Sequence, residues 1–148
     1  MLLEKSILLS CFLVALGSFP QQGVEQRVKG CWSVQLGEWK PEMPYGADTI
    51  FVTPPAKIEL QDKYYYGQVG TRWSVLPSNE AKPSIHSVAF FQPIGTDSIA
   101  IIWSTGFSGL SLHLAIGQDT LKGIAITFWD FDRPQQTADA ILVRMKCH

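Results

Sequence analysis

Three histidines, His86, His113 and His148, are the side chains best suited to move a proton or hold a metal ion near neutral pH. Their spacing serves neither task. His113 alternates with Leu110, Leu112, Leu114 and Ile116 and so faces away from the leucine stripe, toward solvent. His86 shares a face with Val88 and Phe90 and reads as a packing neighbour, and His148 is the last residue. A nucleophilic serine needs the Gly-x-Ser-x-Gly elbow that holds it in attacking geometry. Gly106-Phe107-Ser108-Gly109 is one residue short of it and reads as a tight turn whose glycines supply positive φ. Asp130 and Asp132 lie on one side of a strand end, yet a hard cation takes roughly six or more oxygens. With Arg133 beside them, they read as a solvated, arginine-paired loop. No catalytic residue, metal ligand or cofactor is therefore expected. A small hydrolase is the weakest of the readings carried forward.

The aromatic residues are the better lead. Tyr64, Tyr65, Tyr66 and Trp73 crowd one region, and Phe107 caps a turn. Rings with apolar bodies and polar tips suit a partly exposed binding mouth, although aromatics also fill the core and rim of any β domain. Tyr64, Tyr66, Trp73 and Phe107 are thus the expected ligand-binding residues, and a small apolar or amphipathic molecule the expected partner. The second reading is a cell-envelope protein-interaction module with exposed aromatics. The formal net charge is −1, with no basic block, so nucleic acid has no electrostatic footprint to bind.

The elements that must position these residues are strands. Short runs alternate between apolar and polar residues and are separated by Gly, Pro and Asp clusters, the signature of a sandwich or barrel. Gly30–Trp39, Ala56–Leu60, Ser84–Gln92, Ser98–Ser104, Leu110–Ile116, Thr120–Trp129 and Ile141–Cys147 are expected strands, with one or two more from Tyr64–Tyr66 and Arg72–Leu76. That makes about eight. The connections in the second half are short, which joins antiparallel neighbours into a meander, since parallel strands need long crossovers.

The other end of the sequence carries an export signal. Lys5 precedes an apolar run from Ser6 to Leu16 that ends in small residues near Gly17, the pattern of a secretory signal peptide over 1–17. The run is too short for a membrane anchor, which needs roughly 18 or more such residues. Lipid attachment at Cys11 is disfavoured because Phe12-Leu13-Val14 continue the run beyond it. Residues 18–29 read as a flexible lead-in to a single domain over 30–148. Removing the leader leaves Cys31 and Cys147 in an oxidising compartment, secreted or periplasmic, where a disulfide persists. The alternative is two buried free thiols. Bonding requires α-carbons within about 4.4–6.8 Å, which sets the start of the first strand beside the end of the last. Closure into an antiparallel up-and-down barrel follows, with a β-sandwich as the alternative.

Gly30-Cys31-Trp32 resembles the Gly-x-Trp that opens the first barrel strand of the lipocalins. The resemblance implies that Trp32 packs across the closed end of a barrel, with Arg144, on the last strand, over its ring. Gly37-Glu38-Trp39 repeats the triplet, and no Thr-Asp-Tyr-like second motif is present. A longer pattern adds Pro54-Pro55, Trp103 with Gly106-Phe107 and Gly109-Leu110, Leu121-x-Gly123-x-Ala125 and Cys147. It looks like that of a group of small secreted bacterial proteins, and it implies a disulfide-closed secreted domain but no activity.

Overall fold

The computed structural model describes residues 22–40, 54–65, 72–77, 88–129 and 135–148. Eight strands form one closed antiparallel barrel in chain order: β1 (Gly30–Leu36), β2 (Lys57–Tyr64), β3 (Trp73–Pro77), β4 (Val88–Pro93), β5 (Ser98–Ser104), β6 (Ser108–Ile116), β7 (Thr120–Trp129) and β8 (Thr137–Met145). Each strand pairs with its sequence neighbours, and β8 returns to β1. This is the up-and-down barrel expected from the meander and the cysteines, and it excludes the sandwich. The leader, Cys11, Tyr66, His86, Asp130, Asp132 and Arg133 lie outside the described residues.

Period-two alternation decides which side chains enter the barrel. Cross-strand pairs share a face, so Trp32 with Ile58, Trp103 with Leu110, Ile101 with Leu112 and Leu121 with Leu142 all point inward. Trp32, Ile58, Leu60, Phe91, Ile99, Ile101, Leu112 and Leu142 are completely buried in one cluster. Gly123, Ala125, Ala138 and Ala140 give β7 and β8 a wall of small residues, beside the bulky Phe91, Trp103, Leu110 and Leu112 of β4–β6. Small barrels fill their interiors by such alternation of small and large side chains. His113 points outward and is exposed, as its alternation requires.

Closure is fastened covalently. Cys31 and Cys147 are bonded, with α-carbons 5.3 Å apart, across the β1–β8 seam. Six register pairs from Cys31↔Met145 to Leu36↔Ala140 carry the same seam.

The segment expected to be a flexible lead-in is structured over its last part. Val24–Val28 form a short helix, α1. Val24 and Val28, one turn apart, share a helix face; Val28 is fully buried beneath the barrel and Val24 packs partly against the core. A five-residue helix has no stability of its own, so tertiary burial holds it, which the polar sequence around it did not announce. Boundaries also move: β1 ends at Leu36 rather than Trp39, Tyr64 completes β2 rather than starting a strand, and β8 spans Thr137–Met145. Gly106 has positive φ (94°) as expected of the turn, but Gly109 lies within β6. An added Cβ at Gly109 would meet the Phe128 ring and the Trp103 carbonyl, so close packing on the outer face requires the glycine.

Strand β3 is the least secured. Among the described residues it pairs with β4 at Trp73↔Phe91 and Ser74↔Phe90 alone. On its other side the register with β2 shifts between Leu60 and Tyr64. Local opening free energy follows local pairing and packing. Native-state hydrogen exchange is therefore expected to run at least about 100-fold faster at Val75 and Leu76 than at Ile101, Leu112 and Ala125. Equal protection of the two groups would show that the β3–β4 seam is as strong as the rest.

Candidate functional site

The two ends of the barrel are built differently. At the lower end, α1 crosses the opening and the chain turns into β1 at Gly30, whose φ is 128°. That conformation suits glycine, and an added Cβ would also stand 3.1 Å from Arg144 Nη1. The turn delivers Trp32 to the barrel floor, where its indole N–H donates to the Val28 carbonyl at 2.8 Å. The Arg144 guanidinium lies 4.2 Å from the centre of the Trp32 ring. It also donates to the carbonyls of Lys29 and Arg27, both at 2.9 Å. Arg144 thus ties the last strand to the entry of the first, in the place the Gly-x-Trp resemblance implies. A cation over an indole contributes about 0.5–2 kcal/mol.

Further ties hold α1 to the turns around it. Arg27 donates to the Thr96 carbonyl at 2.8 Å and pairs with Asp97 at 2.9 Å. Lys29 pairs with Asp62 at 2.7 Å. The Lys29 hydrogen bond, with a second from Gln26, holds the Asp62 carboxyl below the usual value for an aspartate. This contact is complete above the ordinary carboxylate range and is lost as pH falls through the lowered value. It is solvent-facing and adds little to stability. Helix α1 covers the lower end and is fixed there by charge, with Trp73 and Ile116 partly buried at its edge.

The upper end carries the β1–β2, β3–β4, β5–β6 and β7–β8 connections. There the inward-facing residues are not all sealed. Val34, Leu36 and Ala89 are only partly buried although they point into the barrel, and Trp129 at the end of β7 is likewise half-buried. Trp103 and Leu110 stand in register with Ala89 and are buried, as is Ala125, so side chains fill the barrel up to this level. Thr127 and Gln136 are buried polar residues on the same side, and the Gln136 backbone N–H donates to the Thr127 hydroxyl at 2.9 Å. Partly buried inward-facing residues thus stand near both ends, Val34, Leu36 and Ala89 at the upper one and Trp73 and Ile116 at the lower one.

The aromatic residues singled out from the sequence do not converge. Tyr64 and Trp73 stack at 6.0 Å, and Trp73 stacks on Phe91 at 5.6 Å, forming a ladder toward the lower end. Phe107 projects from the β5–β6 turn at the upper rim and is 69% exposed. Tyr65 points to the opposite face from Tyr64, packing on Phe90 at 5.6 Å, where Arg72 also sits over the Phe90 ring. Of the expected set, only Phe107 stands at the upper end, and Tyr66 lies outside the described residues. Val34, Leu36 and Ala89 were visible in the sequence as alternating strand residues. Nothing in that alternation distinguishes them from fully buried ones.

Among the described residues no group of three His, Cys, Asp or Glu side chains is placed to hold a metal ion. No described helix is long and apolar enough to cross a membrane. Described residues line two grooves outside the barrel wall. One of about 260 Å³ is lined by Glu38, Lys40, Ile124, Thr137, Ala138 and Asp139, and one of about 590 Å³ runs beside α1 past Gln26, Gln118 and Arg144. Comparison with protein-family models, characterised proteins and solved structures finds no match to this chain.

Proposed function

We propose that this chain is an exported, non-catalytic, lipocalin-like barrel that binds one small apolar or amphipathic molecule at its upper end. The observation that carries the reading is the contrast between the ends. Val34, Leu36, Ala89 and Trp129 face inward yet keep solvent-accessible surface, whereas α1, Trp32 and Arg144 cover the lower end and leave only its edge, at Trp73 and Ile116, partly buried among the described residues. Barrels of about eight strands either fill with side chains or hold one small ligand. This one is filled over most of its depth, so its ligand would seat shallowly against the apolar walls of the upper end. The Gly30-x-Trp32 entry and the Arg144 contact support the lipocalin-like description. Export is supported by the apolar run from Ser6 to Leu16 and by the Cys31–Cys147 bond, which an oxidising compartment maintains.

The interaction-module reading asks for a contiguous patch of exposed tyrosines. Tyr64 and Tyr65 diverge to opposite faces of the sheet, which gives that reading no support. Native mass spectrometry of the protein recovered from its own secretion tests the proposal. The expected result is a mass excess of one small molecule that is absent from a Val34→Trp variant. Bare polypeptide mass, unchanged after incubation with the apolar probe N-phenyl-1-naphthylamine, would overturn it.

A further inference from the structure

Burial on the outer wall of the barrel is uneven. Ile124 (44% exposed), Ile141 (37%) and Val143 (37%) lie on the outer face of β7 and β8. Ile126 continues the stripe and is half-buried. Isolated exposed apolar residues are ordinary, but neighbours that form a continuous patch mark a contact surface. In the register, Lys122 stands opposite Ile141, and Ile124 opposite Asp139. The four positions make a checkerboard in which each strand contributes one isoleucine and one charge, of opposite sign. Neither Lys122 nor Asp139 has an ion-pair partner among the described residues. The groove beside them adds Glu38 and Lys40, again one charge of each sign.

We infer that this face associates with the same face of a second copy of the chain, about a two-fold axis lying between the stacked sheets. Strands are about 4.8 Å apart and alternate residues about 6.8 Å apart along a strand. An axis along the Ile124–Ile141 diagonal therefore sets each isoleucine over its own counterpart. The same rotation brings Lys122 to within roughly 3 Å laterally of Asp139 of the second copy, within reach of its long side chain, and Asp139 likewise toward the second copy's Lys122. An isologous interface must be self-complementary in this way, since every contact occurs twice. The balanced charges favour a copy of this chain over a partner of a single charge sign. Phe128, which packs over Gly109 within the chain, bounds the patch at its upper end.

Sedimentation equilibrium of the secreted protein tests this. A reversible, concentration-dependent dimer is expected, and Lys122→Glu, which sets like charges together twice, should weaken it by about tenfold or more. Adding Asp139→Lys to that variant restores opposite charges and should return the dissociation constant to within about threefold of the parent. Ile124→Ser should also weaken the dimer, with circular dichroism unchanged in every variant. A monomer at all concentrations, a dimer indifferent to Lys122→Glu, or a double variant that stays as weak as the single one would each overturn the inference. Ligand binding at the upper end does not enter the result.

Discussion

Replacing Cys31 and Cys147 together by serine is expected to lower the free energy of unfolding by about 4–5 kcal/mol. The bond closes a loop between residues 116 positions apart, so its loss frees nearly the whole barrel domain in the unfolded state. In the chain-entropy description a loop of that size sits near the upper end of what one disulfide contributes. Total stabilities of about 5–15 kcal/mol make this a large share. The barrel should nevertheless remain closed in the variant, because the register pairs from Cys31↔Met145 to Leu36↔Ala140 do not depend on the sulfurs. Urea unfolding of the two proteins measures the difference. A loss below about 1 kcal/mol would mean that the reduced chain keeps the β1–β8 ends together without the bond.

The second large effect belongs to Trp32. Trp32→Ala is expected to cost about 3–5 kcal/mol, the range for removing a fully buried aromatic side chain. Three contributions act together at this position. The indole fills the barrel floor with no exposed surface, its N–H satisfies the Val28 carbonyl, and its face receives the Arg144 guanidinium. Trp32→Phe keeps most of the packing and the aromatic face but gives up the hydrogen bond, so a loss of about 1–2 kcal/mol is expected. α1 should loosen in the alanine variant, since Val28 packs in the same cluster. Thermal or urea unfolding, with hydrogen exchange at Lys29 as a local probe of the Lys29 N–H to Glu25 carbonyl bond, separates the two effects. Equal stability of Trp32→Ala and the parent would remove the floor from the account.

Much of this architecture was legible in the chain. The strict alternation of Leu110, Leu112, Leu114 and Ile116 identifies an inner face, and it is the inner face of β6. The cysteines point to β1 beside β8, which is the observed pairing, and the Gly30-x-Trp32 resemblance implies a contact of Arg144 with Trp32, which is present. Helix α1 was not legible because five residues carry almost no periodicity, and its order comes from burial of Val28. Gly109 was misread as a turn glycine because sequence shows the missing side chain but not the Phe128 ring that occupies its place. The candidate site was less legible than the fold. Aromatic content drew attention to Tyr64 and Trp73, which stack toward the lower end. The residues that keep open surface, Val34, Leu36 and Ala89, are small or middle-sized aliphatics whose exposure depends on how far the bulky core extends upward.

The proposed function places an apolar ligand at the upper end of the barrel. The most direct measurement is a fluorescence titration of the protein with N-phenyl-1-naphthylamine, run beside Ala89→Trp, which fills the mouth, and Gln118→Ala, on the distant β6–β7 turn. Saturable binding of one probe per chain, abolished by Ala89→Trp and unaffected by Gln118→Ala, is the predicted result. Absence of saturable binding in the parent, or binding that survives Ala89→Trp, would contradict it.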